Sequence, residues 1–276
     1  VKFLKTVFEE ILTSKTDEAK LNTSFATNFK RITITDSTGF QLPNEYEEMF
    51  KGYSGSATKS AIKIQLTNDL ITGNILSLDI SDGRKSDCNH LPFLENITKK
   101  DDLAIKDLGY YSFKHFKTIE KMDSYYLSRL KLNTSLYYKN PTPEKFKDGR
   151  IKKTSEYIKI DLLEEVAKLK ENESKELSVY IGGEGNTKIK TRVIIYKLPE
   201  SLVAQKRMNQ IKMENKKRIK VSEKLKILNS VNIFITNVDS TIISKDFIYL
   251  IYSLRWQIEL MFKIWKSICC IDKIKK

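Results

Sequence analysis

Cysteine and histidine are scarce in this chain, and their scarcity excludes several kinds of site. Only three cysteines and two histidines occur among 276 residues. Cys88, Cys269 and Cys270 cannot build a disulfide framework and lack the spacing of a zinc site, so a reducing cytoplasm is the expected location. With only His90 and His115 available, neither a histidine-rich metal centre nor a Ser-His-Asp triad is expected. Chemistry in this protein should then rest on carboxylates.

Long hydrophobic runs are also missing from the sequence. No segment approaches the roughly 18 consecutive apolar residues of a membrane-spanning helix. The first residues carry acids within their apolar stretch, which a signal peptide does not. We therefore expect no membrane partner. The first residue is Val1 rather than methionine, which suggests a fragment of a longer protein.

Acidic residues are too few to balance the basic ones. The formal net charge is +14, and an excess of this size favours a polyanionic partner, most simply nucleic acid. Half of it lies between Lys206 and Lys226, where nine Lys or Arg residues face two acids. A lysine-rich genome composition is the alternative explanation of the excess.

Hydrophobic periodicity predicts a mixed α/β protein. The first half favours strands at 31–36, 61–67, 74–80, 103–107 and 124–130, with helices at 3–14, 90–97 and 113–121. The second half favours strands at 157–160, 177–181, 193–196 and 231–237, a long basic helix at 200–228 and a final helix at 245–268.

The final helix carries the most informative pattern. Tyr252, Arg255, Glu259 and Lys266 follow the spacing Y-x2-R-x3-E-x6-K. Since a helix turns about 100° per residue, the last three fall within about 60° of one another on one face. An ordinary solvated amphipathic helix is the alternative reading of this pattern alone. The opposite face is predicted to be a buried stripe of Leu254, Ile258, Met261, Trp265 and Ile268.

Two further acids, Asp36 and Asp107, end the first and fourth predicted strands. In a ribonuclease-H-like sheet these strands lie side by side, so by fold analogy both acids would converge with Glu259. Three converging carboxylates repel one another unless a cation compensates. Oxygen ligands of this kind suit Mg²⁺ or Mn²⁺, and two such ions about 4 Å apart can promote phosphodiester displacement.

Three segments carry a resemblance to a known family. The segment 36–43 resembles the first-aspartate segment of insertion-sequence transposases of the DDE type. Segments 106–112 and 125–131 resemble their second-aspartate segment. The segment 252–266 is similar to the Y-R-E-K signature of the IS-four-like branch. Together they cover about residues 30–270 in the order that the family has.

The resemblance implies the fold class and the domain organisation. The fold would be α/β, with a ribonuclease-H-like mixed sheet flanked by helices and a β-rich insertion between the fifth strand and the glutamate-bearing helix. The catalytic core would comprise residues 31–132 and 233–276. An N-terminal helical segment would occupy residues 1–30, and the insertion, with its long basic helix, residues 133–232.

The resemblance also implies roles for individual residues. Asp36, Asp107 and Glu259 would be the catalytic residues and would hold two Mg²⁺ or Mn²⁺ ions. Trp256 would stack on an extruded base, although an aromatic that merely packs the helix is an equal alternative. The residues expected to contact DNA are Tyr252, Arg255, Trp256, Lys263 and Lys266 on the final helix and Lys216, Lys217 and Arg218 on the basic helix.

The activity implied is metal-dependent DNA cleavage and strand transfer, by cut and paste, at transposon ends. The partners would be double-stranded DNA, as terminal inverted repeats and target, and a second copy of the chain in a homodimeric DNA complex. The protein would be cytoplasmic and associated with the nucleoid when bound to DNA.

Two departures from the family leave alternatives open. Only about thirty residues precede Asp36, and ten follow Lys266, which suggests a truncated copy. An inactive remnant that only binds DNA, or a structure-specific nuclease with the same core, would share these motifs. A second acidic group, Asp79, Asp82 and Asp87, is interpreted as a turn rather than a metal loop.

Overall fold

The structure is a computed structural model that describes residues 23–53, 59–182, 188–218 and 220–273, with only the backbone of residues 23–25 and of Lys217. The helix predicted at 3–14 lies outside the described residues, as does most of the predicted N-terminal segment 1–30. No helix within the described ranges is both long and apolar enough to cross a membrane.

The described residues form ten strands and seven α-helices. The strands are β1 (Arg31–Gln41), β2 (Ala61–Asp69), β3 (Ile75–Asp82), β4 (Asp102–Lys106), β5 (Tyr125–Arg129), β6 (Leu136–Lys139), β7 (Tyr157–Lys159), β8 (Ser174–Ile181), β9 (Ile189–Lys197) and β10 (Val231–Thr236). The helices are α1 (Leu91–Ile97), α2 (Phe113–Lys121), α3 (Leu162–Ala167), α4 (Glu200–Lys217), α5 (Glu223–Leu228), α6 (Lys245–Ser253) and α7 (Trp256–Ser267).

The chain divides into two compact units, residues 1–127 with 250–276 and residues 128–249. In the first unit the strands run in the order β3-β2-β1-β4-β5. β1 pairs antiparallel with β2, and β2 antiparallel with β3, whereas β1 and β4 are parallel. This mixed order with flanking helices is that of an α/β ribonuclease-H-like fold, as the sequence predicted.

The apolar faces of the central strands build the core of the first unit. Ile34 on β1, Leu66 on β2 and Ile105 on β4 are fully buried. Helix α2 adds Phe116, whose ring stacks on that of Tyr126 on β5 with centroids 4.4 Å apart. These strands are rich in β-branched, aromatic and other apolar residues, which suit a pleated surface buried against helices. The core therefore fixes the strands that carry the predicted acids.

The register of β1 against β4 sets the position of two of those acids. The parallel pairing ends with Thr35 beside Lys106. Asp36 follows Thr35 and Asp107 follows Lys106, so the two acids lie side by side just beyond the last parallel pair of β1 and β4. The sequence placed the end of the first strand at Asp36, but β1 continues to Gln41 because residues 37–41 pair with β2. Asp36 is therefore held by the sheet rather than by a loop.

The second unit has its own antiparallel strands in the order β10-β9-β8-β6-β7. Helix α3 packs against α5. The unit extends beyond the predicted insertion of residues 133–232 at both ends. At the C-terminal end it includes β10, because this strand pairs along its length with β9. The prediction had left most of β10 in the catalytic core.

Both long helices predicted from the sequence are interrupted. The basic helix stops at Lys217, where Arg218 takes a left-handed conformation with φ +52°, and Ser222 caps a new helix by accepting from the amide of Leu225. The final helix is divided between Ser253 and Trp256. There the amides of Leu254 and Arg255 donate to carbonyls three residues back, which is a tighter turn than an α-helix.

Candidate active site

Arg255 stands at the centre of the candidate site. Its guanidinium donates to Asp36 over 3.0 Å and to Glu259 over 2.6 Å. Its Nε lies 3.9 Å from an oxygen of Asp107. All three predicted carboxylates therefore lie around one cation, although they come from β1, from the end of β4 and from α7.

The local structure explains how the helix residues reach the two strands. Helix α7 packs against β1, and buried Ile258 and Phe262 anchor it. Glu259 and Arg255 are four residues apart, a spacing that puts both on the same helix face. The tight turn before Trp256 ends α6, so that Arg255 precedes the first residue of α7. Its side chain can therefore reach the carboxylates of the sheet.

The buried stripe predicted for the final helix is wrong in part. Of the five residues predicted, only Ile258 is buried, and Ile268 is 74% exposed. Phe262, which the prediction omitted, is buried instead. Ile258 and Phe262 are four residues apart and mark the buried face of α7, whereas Ile268 lies beyond its last residue.

Tyr252 contacts the site from its edge. The ring is buried, and its hydroxyl donates to an oxygen of Asp107 over 3.2 Å. The Arg255 guanidinium lies 5.9 Å from the centre of the same ring. Of the Y-R-E-K residues, two thus contact the carboxylate of Asp107 directly. The contact with DNA that the resemblance implies for Tyr252 and Arg255 stays a prediction.

Burial changes the acidity of the groups at this site. Burial raises the pKa of Asp36 to about 6, against the opposing effects of the Ser37 amide and of the Arg255 charge. Burial also works against the charged form of Arg255, but its hydrogen bond to Glu259 and the neighbouring negative charges outweigh this, and its pKa lies above the ordinary value. The guanidinium thus offsets part of the cost of holding carboxylates together.

A cleft of about 290 Å³ opens beside the carboxylates. Two acids and two lysines face it, so both a cation and an anion would find partners there. Lys266 donates to the carbonyl of Gly39 on β1 over 3.0 Å, which holds its ammonium group at the wall of the cleft. The lining residues are Asp36, Ser37, Thr38, Glu259, Phe262, Lys263 and Lys266.

Asp36, Asp107 and Glu259 fit a divalent metal by donor type, because three carboxylates converging on one positive group are the ligands that Mg²⁺ and Mn²⁺ prefer. Their present arrangement serves the guanidinium instead. Among the described residues, no three carboxylate, imidazole or thiolate side chains form a ready-made metal site. Arg255 lies where the three carboxylates meet.

The other residues predicted to contact DNA are largely at the surface. Trp256 is 46% exposed, and the ammonium of Lys263 lies 5.0 Å from the centre of its ring. In the second unit, Lys216 and Arg218 are exposed at the end of α4, whereas the side chain of Lys217 is not described. Their contacts with DNA stay predictions.

Asp87 is the residue at this site that sequence reasoning missed. Its Oδ1 accepts from Ser37 over 2.9 Å and from Gln65 over 3.0 Å, so it ties the residue after Asp36 to β2. A Cβ added at Gly109 would lie 2.8 Å from its other oxygen, which places it against the segment after Asp107. Asp87 follows the turn at Gly83 as predicted, but its carboxylate points to the acid-bearing strands. No signal in the sequence distinguished it from Asp79 and Asp82.

Comparison with known proteins decides the family. Residues 27–276 match the protein family described as "Transposase DDE domain". The chain belongs to this family. The transposase domain is 41% identical over 278 residues to the transposase for insertion sequence element IS1151 of Clostridium perfringens, which covers 100% of this chain and 58% of that protein. It is 40% identical over 270 residues to the transposase for IS231B of Bacillus thuringiensis subsp. berliner, covering 97% and 56%. The chain thus spans little more than half the length of these relatives.

Proposed function

We propose that this transposase domain is the catalytic part of a metal-dependent DNA transposase, which cleaves DNA at the ends of an insertion sequence and joins those ends to target DNA. The observation that carries the proposal is the convergence of Asp36, Asp107 and Glu259 on one cation. The relatives named as transposases for insertion sequence elements support the same reading.

Asp36, Asp107 and Glu259 would hold the metal ions. When bound, two Mg²⁺ or Mn²⁺ ions would activate the attacking oxygen and stabilise the leaving oxygen of a phosphodiester. The side chains themselves supply negative charge at fixed positions, because two strands of one sheet and a packed helix hold them. Tyr252 orients Asp107 through its hydroxyl.

The protein's own cations would hold the DNA. Lys263 and Lys266 line the cleft beside Asp36 and Glu259, where an ammonium group can pair with a phosphate as a point charge. Trp256, exposed beside Lys263, offers a face on which a base can stack. Lys216, Lys217 and Arg218 add charge in the second unit. The further partners proposed are terminal inverted repeats and a second copy of the chain, with the complex in the cytoplasm at the nucleoid.

The test is a cleavage assay with duplex DNA that carries the element's terminal repeat, in Mg²⁺ or Mn²⁺. Asp36→Asn, Asp107→Asn and Glu259→Gln keep side-chain size and remove a metal-binding charge. Each should lower the rate of strand cleavage by about 100-fold or more, since a catalytic metal supplies several kcal/mol. Asp82→Asn, a turn acid, is the matched control and should cleave normally.

Other outcomes would select a different function. Salt-sensitive DNA binding with no cleavage in either metal would identify a remnant that only binds DNA. Cleavage of branched DNA regardless of its terminal sequence would identify a structure-specific nuclease. Equal cleavage by all three acid variants and by the unmodified chain would refute a catalytic role for this site.

A further inference from the structure

Arg255 has a position that neither phosphate binding nor the acid cluster alone explains. Its guanidinium lies between all three carboxylates and contacts two of them by hydrogen bonds. Only 17% of the side chain is exposed. The centre of the candidate metal site is thus filled by part of the chain itself.

We propose that Arg255 is an internal counter-ion that occupies the metal position until a DNA phosphate takes it away, so that metal binding is coupled to DNA binding. The proposal rests on the proposed function, because it requires the three carboxylates to be the metal ligands. It adds that the site is closed to metal when no DNA is bound.

Charge and geometry explain why the two cations exclude each other. Three carboxylates grouped around one point would repel one another without a cation, and the single positive charge of Arg255 compensates only part of their negative charge. A divalent ion compensates more, and at Asp36 and Glu259 it would compete with the guanidinium for carboxylates that now accept hydrogen bonds from it. A bound metal and Arg255 in its present place would also repel each other. Metal entry therefore requires the guanidinium to leave.

The cleft supplies the place to which the guanidinium can go. It adjoins Asp36 and Glu259, and two ammonium groups, from Lys263 and Lys266, line it. A phosphate held there would offer Arg255 the planar pair of oxygens that a guanidinium binds best. Phosphate binding would then replace the contacts that Arg255 loses, and the carboxylates would be released to the metal.

An ordinary ion pair between Arg255 and a single carboxylate does not explain this arrangement. Arg255 could reach Glu259 alone, four residues away on the same helix, as in many exposed helix pairs. Instead it also binds Asp36, which is 219 positions away in sequence. The Tyr252 ring, whose centre lies 5.9 Å from the guanidinium, also contacts Asp107 through its hydroxyl.

The experiment measures Mn²⁺ affinity by the loss of the free-ion electron paramagnetic resonance signal, with and without a short duplex DNA. For the unmodified chain we expect DNA to raise the Mn²⁺ affinity at least tenfold. Arg255→Gln should bind Mn²⁺ at least tenfold more tightly than the unmodified chain when no DNA is present, and DNA should raise its affinity much less. Arg84→Gln loses the same charge at a side chain outside the site and should behave like the unmodified chain.

The outcomes separate this inference from the proposed function. Equal Mn²⁺ affinities for the unmodified chain and Arg255→Gln without DNA, both abolished by Asp36→Asn, would overturn the inference and leave the metal site standing. Mn²⁺ binding that Asp36→Asn does not weaken, or no binding by any form of the chain, would overturn both. If Arg255→Gln does not fold, the effect of DNA on the unmodified chain alone decides, and an unchanged affinity overturns the inference.

Discussion

At the scale of single residues, the sequence predicted that three acids would lie together, but not that Arg255 would be their common partner. Asp36, Asp107 and Glu259 were identified from their order and from the segments around them. The position of Arg255 depends on how closely α7 approaches β1 and β4, which helix spacing cannot specify. The same holds for Asp87, whose place in an Asp-rich and Gly-rich turn gave no hint of its contacts with Ser37 and Gln65.

A buried histidine predicts how stability depends on pH. His115 is 1% exposed, and neither of its ring nitrogens has a hydrogen-bond partner among the described residues. Burial, and secondly the charge of Lys106, lower its pKa to about 3. Glu95, 3.7 Å from Nδ1, would favour the charged ring, but burial dominates. The folded protein therefore keeps His115 neutral over the range in which an unfolded histidine becomes charged.

The sign of the effect follows from this difference in pKa. Because the folded pKa lies below the unfolded value of about 6.5, the contribution of His115 is complete above pH 6.5 and is lost as pH falls towards 3. We expect a loss of about 2 kcal/mol at pH 5. Urea unfolding of the unmodified chain and of His115→Phe at pH 8, 6.5 and 5 measures this loss as a change in the free energy of unfolding. The variant should show a smaller decline, and parallel declines would contradict the assignment.

At the scale of secondary structure, strands were predicted better than helix ends. Strands β1 and β2 were identified from their β-branched residues and β5 from its tyrosines, because these residue types favour strands. Strand β6 (Leu136–Lys139) and helix α3 (Leu162–Ala167) were missed. Both are short, and β6, unlike the equally short β7, contains no β-branched residue. Both long helices were predicted without their breaks because the residues at the breaks continue a helical pattern.

The break after α4 makes a prediction about stability. Arg218 ends this helix with φ +52°, a conformation that costs an L-residue roughly 1–2 kcal/mol and glycine almost nothing. Arg218→Gly should therefore raise the free energy of unfolding by about 0.5–1 kcal/mol, after the greater flexibility of glycine in the unfolded chain is counted. Arg207→Gly, within α4, is the control and should lower it by about 1 kcal/mol. A decrease for both variants would show that Arg218 is not strained.

At the scale of the whole molecule, the sequence indicated a polyanionic partner from its net charge of +14. It also predicted a core and a β-rich second part, although the second unit runs from residue 128 to 249 and takes in β10. From sequence, β10 resembles a strand of the catalytic core, because it is apolar. Its assignment depends on pairing with β9, which only the fold determines.

The basic end of α4 makes a prediction about DNA affinity. Replacing Lys216, Lys217 and Arg218 by Gln should weaken binding almost equally for all DNA sequences. It should reduce the slope of log affinity against log salt by up to about 3, because each phosphate contact contributes roughly 0.9. Fluorescence anisotropy with two unrelated duplexes at several salt concentrations measures both. Replacing the exposed Lys99, Lys100 and Lys121 instead is the matched control, and an equal slope for both triple variants would remove this helix from the interface.

The central claim is that residues from β1, from the end of β4 and from α7 hold one divalent-metal site. Iron-directed cleavage of the polypeptide tests it most directly, because Fe²⁺ binds oxygen ligands similar to those of Mn²⁺ and, with ascorbate and peroxide, releases radicals that cut the backbone nearby. The unmodified chain with duplex DNA, and Arg255→Gln with or without DNA, should be cut near positions 36, 107 and 259 together, and excess Mg²⁺ should suppress all three cuts. Cuts near only one of these positions, or cuts that Mg²⁺ leaves unchanged, would contradict the account.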